Sequence, residues 1–462
     1  MAESELRKKL MYRPKNGYDT ISAEEREAMD RYCEAYKIFL DMSKTEREAV
    51  ATAVYLAETH DFHAWQPGEK LNPGDKIYYV NREKAIFLAV IGTESLANGA
   101  VIAAAHTDAP RLDIKPTPLY EESEMAYLKT HHYGGIRKYH WVTTPLVLHG
   151  VVMLSDGSKI TVKIGDAPED PQFVINDLLP HLGLEQGKKP LNTAIPSDSL
   201  NILVGGRPLK DDDGSERIKL EVLRLLNERY GIVEENLISA ELQAVPAANA
   251  RDIGFDCSFI GAYGHDDRVC AYAELAAILE TETPRRTAVC VFADKEEIGS
   301  DGVSGMQSHA FEYFMKDLCK SQGVCMETCF ANSFCLSADV TAAFDPNFPD
   351  VYDRHTAARC NYGVGLCKYT GHAGKAGASD ASAEVVGYLC RLLNENGVRW
   401  QMTELGKADV GGGGTVAKYM ANRNIDTIDA GVPVLSMHAP FETVAKLDCY
   451  MTYRCVKVLF EN

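Results

Sequence analysis

Five short stretches of this sequence hold the side chains that could do chemistry together. They are "AAHTDAP" with His106 and Asp108, "GHDDRVCAY" with Asp266 and Asp267, "ADKEEIGSDG" with Glu296 and Glu297, "SADVTAAFDP" with Asp339, and "SMHAP" with His438. Imidazole nitrogen and carboxylate oxygen are donors that zinc and other borderline divalent ions accept. Two such ions held side by side need a bridging carboxylate and two further protein ligands each, with a position left open for water. His106, Asp339, His438 and one of the two glutamates fill the outer places, and an aspartate of the 266–267 pair is the bridge. The other glutamate is then free to take a proton from an attacking water and pass it to a leaving amine. Asp108, two residues from His106, is placed to accept the second ring N–H and orient the ligand. Metal charge also answers the repulsion between Glu296 and Glu297, which adjacent buried carboxylates would otherwise relieve by a raised pKa.

Taken singly, each stretch has a plainer reading. Asp266-Asp267 suits a helix N-cap and first turn, Glu296-Glu297 a solvated loop, "HTD" a surface turn, and His438 a partly buried histidine with its bonds met. What joins them is the elements they follow. "GAVIAAAHTDAPRLDIKP" (99–116) reads as a buried strand, "TAVCVFA" (287–293) as another, and 334–339 and 433–437 as two more. Helices are expected over 267–281, 305–320, 379–397 and after Gly411 to Gly414, with a further strand at 399–403. Strand and helix alternate in this way when a mostly parallel sheet carries helices on both faces, the α/β class. Ligands of such sheets collect beyond the carboxyl ends of the strands, where all five stretches fall.

Ahead of this, residues 20–60 carry helical apolar spacing with Ser22 as N-cap, and 76–92 reads as a hairpin turning at Asn81-Arg82. Residues 117–250 differ in character. They are β-rich, dotted with Pro and Gly, and contain one charged helix around "SERIKLEVLRLLNERYG". The expected organisation is a discontinuous catalytic domain, 1–116 and 251–462, with a β-rich domain of 117–250 inserted for oligomerisation and substrate access.

A net charge of −18 and a pI near 5.2 argue against nucleic acid and anionic membranes as partners. Apolar runs such as "AIFLAVIG" are strand-length, and "MAESELRKKLMYRPK" lacks the apolar core of a secretory signal, so a cytoplasmic protein is expected. The 13 cysteines, an odd number without framework spacing, read as reduced thiols. The four glycines 411–414 lack the G-x-x-x-x-G-K frame of a phosphate loop. His131, His132 and His140 of "THHYGGIRKYHW" lie outside the strand-end set and read as surface or interface residues.

In this order, "AAHTDAPRL", "DDRVCAY", "DKEEIGSDG", "SADVTAAFDPN" and "SMHAP" resemble the aspartyl aminopeptidase/aminopeptidase I family of dinuclear zinc exopeptidases. The likeness runs over nearly the whole chain, including "YGG…W…LHG" (Tyr133 to Gly135, Trp141, Leu148 to Gly150) in the inserted segment. It implies that His106, Asp266 and Asp339 hold one ion and that Asp266, Glu297 and His438 hold the other. Glu296 is then the general base and Asp108 the orienter of His106. The implied activity is removal of N-terminal residues from short peptides, with acidic (Asp or Glu) residues as one implied preference, and with two Zn2+ ions in place or Co2+ or Mn2+ in their stead. Lys368 is implied as partner of an acidic substrate side chain, with Lys375 its competitor. His181 is implied to enter a neighbouring subunit's site in a homo-oligomer, a dodecamer. "GHAGKAG" lacks the aromatic that acidic-specific members can carry there, which leaves broader or neutral specificity open. A deacylase or carboxypeptidase on the same scaffold needs an arginine for a substrate carboxylate, and Arg268 is the nearest in sequence. A non-catalytic assembly protein would have lost a ligand or the base, and none is missing.

Overall fold

Four buried strands lie side by side and parallel at the centre of a nine-stranded sheet: Ala288–Ala293, Val101–His106, Phe334–Ser337 and Asp426–Gly431. They are buried nearly end to end, as strands covered on both faces are. The computed structural model describes residues 4–371 and 373–462; residues 1–3 of the amino-terminal stretch and His372 of the Gly-rich stretch lie outside it. Alternate side chains of each strand enter two cores. Ala103, Ala105, Cys290 and Phe292 face the helices Ala23–Met42, His265–Leu279 and Lys446–Glu461, while Ile102, Ala104, Val289 and Val291 face Ala310–Ser321 and Met326–Ala331. Helices on both faces of a mostly parallel sheet are what the alternation predicts.

The flanks are mixed. Lys76–Asn81 and Ala85–Val90 form the expected hairpin, but Asn81 pairs with Ala85. The turn therefore falls one residue later than expected, on Arg82 and Glu83 with φ of +56° and +59°. The expected helical stretch 20–60 is two helices, Ala23–Met42 and Glu46–Glu58, each started by a reciprocal capping box, Ser22 with Glu25 and Thr45 with Glu48. Asp426–Gly431 escapes the sequence reading because two aspartates and a glycine break its apolar run. The expected strand at 433–437 is Pro433–Leu435, and it belongs to a separate five-stranded sheet with Thr341–Ala342, Glu442–Ala445, Phe259–Ala262 and Arg251–Ile253.

The stretch 99–116 is two strands rather than one. The first ends at His106, and Arg111–Glu122 starts a six-stranded antiparallel sheet that closes with Glu241–Pro246. The chain thus changes sheet at residues 107–110 rather than near 116. This second sheet has its own core around Leu112, Trp141, Val147 and Ala244, and carries the helix Arg217–Tyr230, which ends at Gly231 with φ of +73°. Among the described residues no helix is long and apolar enough to cross a membrane.

Candidate metal centre

The two long central strands bring the first groups together. Val101–His106 ends on His106, which is 1% exposed, and its neighbour Ala288–Ala293 runs on through Asp294 and Lys295 into a 3-10 turn over Glu296–Ile298. Lys295 and Gly299, both in the left-handed region, turn the chain into and out of that short helix. Phe334–Ser337 delivers Asp339. The helix from His265 begins with Asp266 and Asp267, both non-helical and joined by a cis peptide bond.

Asp266 lies between the two histidines. Its Oδ1 is 3.2 Å from Nε2 of His106, and its Oδ2 is 3.2 Å from Nε2 of His438. Glu297 Oε2 is 3.5 Å from the same nitrogen of His438, and Glu296 Oε2 is 3.9 Å from Nε2 of His106. Ligand atoms of His106, Asp266 and Glu297 all fall within 4.8 Å of one another, as do those of His106, Asp267 and Asp339. The expected residues therefore converge, and Asp267 joins them. One of its oxygens accepts the backbone N–H of His106 at 3.3 Å, while the other is buried with no partner. Glu297 Oε1 is likewise buried and unpartnered. Buried acceptors without donors, aimed into a nest of carboxylates, fit cations.

The electrostatics agree. Burial pushes Glu296 up to about 7, against the pull of His106 and with Asp108 and Asp266 adding to the rise. Burial also raises Glu297 and Asp339, with Asp266 and Asp267 respectively as the next cause. Burial would raise Asp266 too, but its bonds to His106 and His438 hold it below the ordinary range. A pocket that resists so many negative charges is one whose charge divalent ions offset.

Both imidazoles are oriented from behind. His106 Nδ1 lies 3.0 Å from the Asp108 carbonyl and 3.3 Å from its Oδ1. Asp108, fully buried, also accepts the N–H of Glu296 on Oδ1 at 3.1 Å, and the N–H of Glu297 and the phenol of Tyr133 on Oδ2, at 3.2 and 2.7 Å. His438 Nδ1 lies 2.9 Å from the Gly135 carbonyl. Glu442 is a site residue that the sequence reading missed. It is 1% exposed, and its two oxygens accept the N–H of His438 at 2.7 Å and of Asp266 at 3.1 Å. The acid four residues after the histidine in "HAPFE" was the only signal for it.

A cavity of about 500 Å3 opens beside Asp266, Glu296, Glu297, Asp339 and His438. Gly412 to Gly414 line it, followed by Thr415, Lys418 and Tyr419, whose phenol reaches the Gly299 carbonyl at 3.0 Å. Cys367 lines it, but Lys368 does not, and Lys375 is bound to Asp380 at 3.2 Å and lies over the Tyr369 ring. Lys418 is the cavity's lysine. His181 is exposed on the inserted sheet's long loop. Arg268 is 1% exposed and donates to the carbonyls of Thr107 and Lys44 at 3.0 and 3.2 Å. It packs so closely on Gly264 that a Cβ there would sit 2.2 Å from its Nη1.

Fold and site are those of a metal-dependent hydrolase of the α/β class, and comparison with known proteins gives the family. The model of the aminopeptidase I zinc metalloprotease family, M18, matches residues 39–460. A probable M18 family aminopeptidase 1 of Borrelia garinii subsp. bavariensis is 45% identical over 455 residues, 97% of this chain and 99% of the relative. The crystal structure of an M18 family aminopeptidase from Thermotoga maritima, 40% identical, superposes with a TM-score of 0.92 over 98% of this chain and 100% of that one. More distantly, the S. cerevisiae mApe1, solved as a dodecamer and 21% identical, shares the fold with a TM-score of 0.75 over 94% and 97% of the two chains. The chain belongs to the M18 family: it is an aminopeptidase of the zinc metalloprotease class.

Proposed function

We propose that the chain removes the N-terminal residue of short peptides at a dinuclear centre. His106, Asp266 and Asp339 hold one ion, and Asp266, Glu297 and His438 hold the other. The observation that carries this is Asp266, whose two oxygens each face a different imidazole at 3.2 Å, the disposition of a bridging carboxylate. When bound, two zinc ions supply Lewis acidity toward the scissile carbonyl and lower the pKa of water. Glu296 takes the proton from the attacking water and returns it to the leaving amine. Desolvation raises the pKa of Glu296 and so favours its taking up a proton, while the charge of bound cations would oppose that rise. Asp108 keeps His106 in one tautomer and, through the N–H groups of Glu296 and Glu297, keeps base and ligand at a constant separation.

Lys418 on the cavity wall takes the part that Lys368 has by resemblance, pairing with an acidic side chain of the substrate. The sheet unit of residues 111–246 serves assembly. The mApe1 dodecamer supports such a state, and the exposed Leu178, Leu179, Leu182 and Leu184 around His181 mark the segment that a neighbouring subunit covers. The carboxypeptidase alternative loses support because the Arg268 guanidinium is buried, donates through Nε and Nη2 to backbone carbonyls and does not line the cavity beside the centre.

Glu296→Gln tests the assignment. It should keep two zinc ions per chain and lose about 10²–10⁴-fold in kcat on aminoacyl chromogenic amides. Loss of one ion instead would exchange the roles of the two glutamates. Activity on N-acylated substrates alone would remove the aminopeptidase mechanism.

A further inference from the structure

Taking the dinuclear aminopeptidase reading as given, we infer that Tyr133 is a positioning residue for the metal centre, through which the inserted sheet holds Asp108 and, by way of it, His106. Tyr133 ends the strand Met125–Tyr133 of the six-stranded sheet, and the next two residues, Gly134 and Gly135, make the corner. This corner touches the centre at three places. The Tyr133 phenol donates to Asp108 Oδ2 at 2.7 Å, and Asp108 in turn orients His106 and accepts the N–H groups of Glu296 and Glu297. Gly134, with φ of +76°, lies so close that a Cβ there would meet Glu297 Cβ at 3.3 Å. The Gly135 carbonyl faces His438 Nδ1 at 2.9 Å, and a Cβ at that glycine would press on the same ring at 3.3 Å.

Tyr133 is itself held. The Arg111 guanidinium lies 3.7 Å over its ring, with Nε donating to Asp113 at 2.8 Å and Nη1 3.6 Å from Glu46. Glu46 begins the helix Glu46–Glu58, so the clamp ties the inserted sheet to the catalytic fold as well as to the ligands. A carboxylate that orients a metal-bound histidine works only while its own rotamer is locked, and Tyr133 is the one side chain donating to Oδ2 of Asp108 among the described residues.

The test is a double-mutant cycle with Tyr133→Phe and Asp108→Asn, each protein loaded with zinc. Phenylalanine keeps the ring under Arg111 and deletes only the hydroxyl. Two quantities are read: the rate of zinc loss to excess chelator, which needs no substrate, and kcat and KM on an aminoacyl chromogenic amide. Tyr133→Phe should release zinc about tenfold faster and lower kcat about tenfold at unchanged KM, the scale of other orienting partners. In the Asp108→Asn background it should change neither further, because its effect passes through Asp108. Wild-type values for zinc release and kcat in Tyr133→Phe would overturn the inference. So would losses that multiply undiminished onto Asp108→Asn, or a lower melting temperature of the metal-free protein with zinc release unchanged, which is what a packing role alone produces. Should the wild type bind zinc and cleave no free-amine substrate, the aminopeptidase mechanism fails while the zinc-release cycle still decides the role of Tyr133.

Discussion

Replacing Glu442 by glutamine isolates the support beneath Asp266, which lies between the two histidines, and beneath His438. The carboxylate accepts two backbone N–H groups, that of His438 on one oxygen and that of Asp266 on the other, in a fully buried position. A glutamine amide offers one oxygen and one NH2, so whichever way it is turned, one of the two N–H groups meets another donor. Leaving a buried donor unpaired costs about 1–3 kcal/mol. His438 has a further reason to move, since its φ of +65° and that of Ser436 at +60° are strained for residues with a Cβ, at about 1–3 kcal/mol each. If the N–H left unpaired is that of His438, the loop relaxes and Nε2 leaves Asp266. Either way a residue of the proposed metal centre is displaced, and about 1–3 kcal/mol corresponds to roughly a 5- to 150-fold loss of zinc affinity. This overlaps the 10- to 100-fold range, about, that orienting partners of metal ligands show elsewhere. Competition against a chromophoric chelator measures the affinity, and calorimetry of the metal-free protein measures the fold. Glu442→Asp, which keeps the charge but is one methylene shorter, should fall between the two. Zinc affinity within twofold of wild type, with an unchanged melting temperature, would refute the reasoning.

His149 is buried where the helix Glu46–Glu58 meets the inserted sheet, 3.0 Å from Glu48 and 3.2 Å from Asp166. Burial would lower its pKa, but those two carboxylates hold it above the ordinary imidazole range. The stabilisation is therefore fully present below the unfolded value and lost as pH rises through the raised one, so wild type should exceed His149→Gln by about 2 kcal/mol near pH 6 and converge with it at alkaline pH. A difference constant from about pH 6 to 9 in calorimetry would contradict this. Lys418→Ala should raise KM for Asp- and Glu-amides about fivefold and leave a Leu-amide unchanged, the modest effect of a partly solvated pair. An equal change on all three would show that Lys418 does not read the side chain, and a selective effect of Lys368→Ala instead would return the role to that residue.

The chemistry was legible because it sits on the most regular part of the fold. His106 and Glu297 follow apolar runs long enough to read as buried strands, and a parallel sheet places the ends of such strands at one edge. Asp339 and His438 were legible for the same reason, although His438 rides on the loop after Pro433–Leu435, outside the main sheet. What hid was structure whose cause is not periodic. Asp426–Gly431 is a central strand with polar residues in it, and the break at 107–110 interrupts no hydrophobic pattern, since Arg111, Leu112 and Ile114 continue the alternation in another sheet. Glu442 and Tyr133 could not be assigned because their partners are backbone groups or a carboxylate far away in the chain. Lys368 is implied by the family resemblance alone, yet it is Cys367 that lines the cavity, and the lysine on its wall comes from the helix Ala417–Ala421 that follows the four glycines.

The adjacent glutamates show where the cost of the site is met. Two carboxylates at neighbouring positions repel, and burial alone would drive each toward its neutral form. The structure counters this at two levels. Asp108 accepts both of their backbone N–H groups, so the turn is fixed by a third acid that binds the chain rather than the side chains. The side chains then diverge, Glu297 toward His438 and Glu296 toward His106. A turn held only by its own backbone bonds, from the Gly299 N–H to the Glu296 carbonyl and from the Ile298 and Ser300 N–H groups to the Lys295 carbonyl, could open more readily and let both acids reach water. Held by Asp108, it cannot do so without breaking two charge-assisted bonds at about 1.5–3 kcal/mol each. The acids therefore stay buried, and the positive charge of bound divalent cations is what the proposed centre would set against them.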